Sequence, residues 1–143
     1  MIIRKLAEAK IKESKLHDFA HFGIRSVAGV LFIVHSTAKF NPGFSNFLTG
    51  MGLPPEMQLP IGILELFGGV LLALGILTRI TSSLLAIEML GVIIFIKKLK
   101  SFSGQGGAEL ELLVFAILLV LIVAGPGRVS ISHIVKKIPR FLQ

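Results

Sequence analysis

The run LPIGILELFGGVLLALGIL, Leu59 to Leu77, decides the fold. It holds 19 residues, and Glu65 is the only charged one. A helix rises about 1.5 Å per residue, so a run of this length reaches across most of the ~30 Å hydrocarbon core of a bilayer. The run is also rich in small residues: Gly62, Gly68, Gly69, Ala73 and Gly75. Gly69 and Ala73 are four apart, and Gly62, Gly69 and Ile76 share a heptad face. Small residues let helix backbones approach closely where lipid removes the hydrophobic drive for association. This span is therefore expected to be the central packing helix.

Three more apolar runs lie outside it, at Phe19 to Phe40, Ile80 to Ile96 and Ala108 to Ala124. They are separated by Asn41-Pro42-Gly43 with Pro54-Pro55, by Thr78-Arg79, by the Lys97 to Gly107 segment, and followed by Gly125-Pro126-Gly127-Arg128. Backbone polar groups in lipid must be satisfied within a helix or a closed barrel. The runs lack the alternation and the ~10-residue length of barrel strands. The expected fold is an all-α polytopic membrane protein, a four-transmembrane-helix bundle. Met1 to Asp18 mixes Lys, Arg and Glu with Ile2, Ile3, Leu6, Ile11 and Leu16, and reads as a short amphipathic interfacial helix. The organisation expected is an interfacial segment over 1–18, a membrane domain over 19–128 and a basic cytoplasmic tail over 129–143.

The composition agrees. Of 143 residues, 53% are hydrophobic and only 16% charged, below the usual ~25%. There is no Cys, which excludes disulfides, thiol catalysis and Cys-ligated zinc, iron–sulfur or c-type haem in this chain. The net charge of +7 would suit a nucleic-acid binder on a polar surface, but here the basic residues flank apolar runs. Arg4, Lys5, Lys10, Lys12, Lys15, Arg79, Arg128, Lys136, Lys137 and Arg140 fall on one side of a four-span topology. Lys39, Lys97, Lys98 and Lys100 fall on the other. Positive loops stay inside, so both termini are expected in the cytoplasm, with the lipid bilayer and not nucleic acid as the surrounding partner.

Ionisable groups at membrane depth carry the functional information, because each costs ~2.5–3.5 kcal/mol at the bilayer centre and seeks a partner. Arg25 lies ~9 Å into the first span and Glu88 ~12 Å into the third from the same side, so an intramembrane ion pair is expected between them. Such a pair can serve simply to lock the bundle. Near the opposite side, His35 and Lys39 share one face of the first span, Glu65 lies ~9 Å into the second, and Glu109 opens the fourth. These four residues are expected to form an outer polar cluster. Glu111 is rotated about 200° from Glu109, and Glu109 is taken as the inward one. A His beside carboxylates titrates near neutral pH and suits proton-coupled chemistry, so the cluster is a candidate ligand or quinone-headgroup site; ion pairing that merely closes the bundle is the competing reading.

Other signals are weaker. His17 and His21 are four apart, but a metal would need further ligands, and a solvated interfacial position is expected. Ser103-Gly104-Gln105-Gly106-Gly107 has no strand before it and no Lys-Ser/Thr after it, so it is a loop and not a phosphate cradle. Phe44, Phe47, Leu48 and Met51 have helical spacing and suggest a short helix capping the outer cluster.

Three stretches occur in order: Arg25-x3-Gly29-x5-His35-x3-Lys39-Phe40; Glu65-Leu66-x-Gly68-Gly69-x-Leu71-Leu72-x-Leu74-Gly75-x2-Thr78-Arg79; and Glu109 before an apolar helix and Gly125-Pro126-Gly127-Arg128-x-Ser130. With Gly52-Leu53-Pro54 they resemble the DoxX/DoxD-like family of four-helix integral membrane proteins, over about residues 25–130. Two positions depart from the family pattern, Ser36 where a Gly is usual and Ile131 where an acid often follows the Ser. The resemblance implies a role in membrane redox, as in the membrane subunit of an archaeal thiosulfate:quinone oxidoreductase. Other relatives are accessory proteins beside a sulfurtransferase or a superoxide dismutase. By resemblance, Arg25, His35, Lys39, Glu65 and Glu109 occupy the family's polar positions. The function expected is a membrane subunit of a quinone-linked oxidoreductase, not catalytic alone, with quinone as the non-covalent cofactor and a soluble oxidoreductase among its partners. The alternative is a non-catalytic scaffold or assembly subunit of a larger membrane complex.

Overall fold

The computed structural model describes residues 14–135, 139 and 141–143. Most of the interfacial segment expected over 1–18 therefore lies outside the described residues, as do 136–138 and 140 of the tail. The described chain is all helical, with no strand among the described residues.

Helix α1 runs Lys15–Lys39. The Ser14 hydroxyl accepts from the His17 amide at 3.2 Å, and Asp18 sits in the first turn beside the positive end of the helix dipole. This cap starts α1 before Phe19, where the apolar run begins. Asn41 caps a short helix α2, Pro42–Gly50, in the place where Phe44 to Met51 suggested one. A 3₁₀ turn, Pro55–Met57, leads into α3, Gln58–Leu74. Gly75 ends α3 at φ 70, with its amide on the Leu72 carbonyl at 3.1 Å and the Ile76 amide on the Leu71 carbonyl at 2.9 Å. That is a Schellman closure, and it turns the chain directly into α4, Thr78–Gly91. A π-helical turn, Val92–Ile96, extends α4. Helix α5 covers Glu109–Ala124, and a single turn α6, Ile131–Ile134, follows on a Ser130 cap.

Three helical stretches are long and apolar enough to cross a membrane: Lys15–Lys39, Pro55–Leu74 and Thr78–Ile96. Helix α5 has 16 residues, or about 24 Å, short of the ~30 Å hydrocarbon core. Gly125 leaves helical geometry at φ 76, and Pro126 cannot continue the helix.

Helix α1 packs most extensively on α3, and α4 on α5; α3 also meets α4, and α1 touches α5 along a smaller contact. The α1–α3 contact is backbone on backbone. A Cβ on Gly29 would lie 2.6 Å from the Gly69 carbonyl oxygen and 2.7 Å from the Ala73 nitrogen. Gly69 and Ala73 thus do face a neighbouring helix, across Gly29. The buried core draws Ala28 and Phe32 from α1, Leu72 from α3, Leu85, Ala86 and Met89 from α4, and Val114, Leu118 and Leu121 from α5. The outward faces are just as apolar, with Val27, Val34, Phe67, Ile87, Leu113 and Val123 all exposed. A water-soluble monomer rarely presents so much apolar surface, whereas hydrocarbon is its natural surroundings.

Candidate functional site

Two polar centres interrupt this apolar body, one at each end. The first lies where α1 ends, α3 begins and α5 begins. The Lys39 ammonium sits 3.7 Å from Glu65 Oε1 and 4.7 Å above the centre of the Phe44 ring. Helix α2 brings that ring there, a contact not legible from spacing alone. Glu65 is 3% exposed, and its second oxygen has no hydrogen-bond donor. A cavity of about 70 Å³ opens beside this pair. His35, Lys39, Glu65 and Glu111 provide its polar lining, between apolar walls that include Phe32 and Met89. An interior space of this size holds a few waters.

His35, Lys39 and Glu65 thus line one cavity. Glu109 does not. It is exposed, and its Oε1 accepts from the Gly104 amide at 3.2 Å, tying the loop before α5 to the helix start. Glu111 takes the inward place instead and lies 3.6 Å from Lys97. The choice between these residues depends on the rotation of α5 about its axis, which spacing does not set.

The expected Arg25–Glu88 pair does not form. Arg25 is 1% exposed, and its guanidinium donates at 3.0 Å to each of the Leu72 and Ala73 carbonyls and further to the Val129 carbonyl. It therefore satisfies the free carbonyl end of α3 and ties down the segment after α5, with Phe22 stacked 5.7 Å from its central carbon. Gly75 makes room: a Cβ there would collide with the Arg25 guanidinium and the Ser130 side chain. Helix α1 packs on α3 rather than α4, so matched depth did not bring Arg25 to Glu88. Glu88 meets Glu65 instead, with the two carboxyl groups within hydrogen-bonding reach. The hairpin geometry explains this. Glu65 precedes Gly75 by ten residues and Glu88 follows Leu77 by eleven, so both lie ~15 Å from the turn. That symmetry about the turn is a property of the sequence spacing itself.

At the same end as Arg25, His21 packs against Gly127, so it is partly covered rather than freely solvated; His17 is exposed. Arg79 donates to the Val123 carbonyl at 3.3 Å, and Arg128 lies 3.7 Å from Asp18.

A family model described as DoxX matches residues 20–98. The chain belongs to the DoxX family. The match spans α1, α3 and α4 with Arg25, His35, Lys39, Glu65 and Glu88, and stops short of α5. Two proteins are similar over most of their length. A Bacillus subtilis protein named "Putative oxidoreductase CatD" is 37% identical over 100 residues, 68% of this chain and 75% of the relative. An "Uncharacterized protein" of Haemophilus influenzae is 31% identical over 115 residues, 77% of this chain and 86% of the relative. No solved structure gives a significant match. DoxX membership and the apolar spans together make this a membrane protein whose outward faces contact lipid.

Proposed function

We propose that this DoxX protein is an integral subunit of a redox-linked membrane complex and that the His35–Lys39–Glu65–Glu111 cleft seats a quinone headgroup. The observation that carries this reading is the buried, half-paired Glu65 beside an opening in an otherwise apolar body. The donor set suits such a ligand. Lys39 and His35 can donate to a quinone carbonyl, Glu65 and Glu111 can exchange protons, and Phe32 and Met89 offer apolar contact to a ring. The cavity is smaller than the ~150 Å³ that holds a benzene ring, so a headgroup enters by spreading the mouth between α1 and α5, the pair with the smaller contact. A bound quinone supplies the electron-accepting chemistry; the chain's own residues orient it and handle protons. The oxidoreductase named among the relatives agrees with this direction.

In this reading α5 is the fourth span, completed by the residues around its ends and local thinning of the bilayer. Both termini then face the cytoplasm of a multi-pass cell-membrane protein, by the ten-to-four distribution of basic residues.

The test is binding of a short-chain ubiquinone analogue to the full-length protein in lipid nanodiscs. Saturable binding is expected, weakened by Glu65→Gln and His35→Ala. Unchanged affinity in both variants removes the site assignment. The close Gly29–Gly69 packing also favours a second reading, a rigid scaffold for partner subunits. Co-purification of a soluble oxidoreductase in mild detergent, without quinone binding, would select it.

A further inference from the structure

We propose that Glu65 and Glu88 share a single proton and act as one proton-holding unit behind the cleft. Only Glu65's use of the cleft rests on the quinone reading; the pair itself does not.

The argument begins with donors. Three carboxylate oxygens, Glu65 Oε2 and both oxygens of Glu88, are buried without a hydrogen-bond donor. Yet the two carboxyl groups are within hydrogen-bonding reach of each other. An ionised carboxylate only accepts, so two can bond only if one carries a proton. Charge leads to the same conclusion. The groups facing the pair are Lys39 and His35 from α1, and Glu111 with its partner Lys97 lies across the cleft. Lys39 contacts Glu65 and compensates one negative charge. Two adjacent carboxylates in an apolar interior cannot both remain ionised against one cation. The stable arrangement is therefore Lys39 positive, one shared negative charge, and one shared proton.

The placement gives that proton a use. Glu65 lines the cleft, while Glu88 is not part of its wall. Moving the proton from a Glu88 oxygen to Glu65 Oε2 leaves Glu88 ionised and Glu65 neutral. No net charge is created, and the proton now stands at the cleft. Glu88 is thus a positioning and reserve residue, acting on a ligand only through Glu65.

Infrared spectroscopy of the ligand-free, full-length protein in nanodiscs at neutral pH tests this. A carbonyl-stretch band of a protonated carboxylic acid is expected, shifting in heavy water and lost in Glu88→Gln. Absence of the band from the wild type, or its persistence unchanged in Glu88→Gln, overturns the proposal. Should Glu88→Gln fail to fold, Glu65→Gln serves: the band must shift or vanish, and an unchanged band overturns the proposal equally. Loss of quinone-analogue binding with the band intact would refute the cleft reading alone. A missing band with binding intact would refute the pair alone.

Discussion

Alanine substitution at Gly69 tests the packing on which both polar centres depend. The new methyl would lie 2.6 Å from the Gly29 carbonyl oxygen and 2.9 Å from the Ile33 backbone nitrogen. Ordinary contact begins near 3.4 Å, so α1 and α3 must part by about 0.8 Å along that line. Both of these are backbone atoms and cannot swing away; a third contact, Ile33 Cγ1 at 2.9 Å, is a side-chain atom that can turn aside. Overpacking of this kind costs about 1–3 kcal/mol. Alanine also gains about 1 kcal/mol over glycine in helix propensity. The expected net effect is a loss of up to about 2 kcal/mol, the clash offsetting or outweighing the propensity. Gly91→Ala is the control, because nothing lies within 4 Å of the Cβ it would add. That variant should gain a few tenths to 1 kcal/mol. Reversible unfolding in mixed micelles, titrated with a denaturing detergent, measures both. If Gly69→Ala is as stable as Gly91→Ala, the close backbone approach of α1 and α3 is refuted. The Gly29→Ala/Gly69→Ala double variant should cost less than the sum of its parts, since both methyls spread the same interface.

Three further outcomes follow from the same geometry. Arg25→Lys should destabilise by about 2–3 kcal/mol, because an ammonium cannot span the Leu72, Ala73 and Val129 carbonyls that the guanidinium bridges; limited proteolysis after α5 would reveal the released segment. Lys39→Ala should destabilise by leaving the buried Glu65 without its cation, and Glu65→Gln in that background should restore much of the loss; thermal unfolding of the single and double variants in nanodiscs checks the coupling. Glu111→Gln should alter quinone-analogue affinity while Glu109→Gln leaves it unchanged, since only Glu111 lines the cleft; equal effects would put the α5 rotation in error.

Much of the fold was legible in the sequence because membrane solvent imposes simple demands. The apolar run from Leu59 had to be helical, since its backbone can find no partners in lipid, and it is so as far as Leu74. Gly69 and Ala73 announced a close contact, though not that Gly29 would supply the other side. Asn41-Pro42 and Gly75 marked a helix start and a helix stop by chemistry that is local to the chain. The outer site was partly legible: His35 and Lys39 share a face through their spacing, and a buried Glu65 needs a cation. The place of Arg25 was not legible, because depth along a helix says nothing of the direction in which a side chain points. Its strongest partners are backbone carbonyls at the end of α3, which no side-chain inventory reveals.

The sequence by itself determined the helices, their approximate lengths and the position of each ionisable group along its helix, because these follow from residue type and a fixed rise per residue. Tertiary structure decided which helices are neighbours and how each is rotated. Those two quantities placed Glu111 rather than Glu109 in the cleft and set Glu88 against Glu65 rather than Arg25. Rotation is settled by close packing among many side chains on different helices, a collective result that no single stretch of sequence encodes.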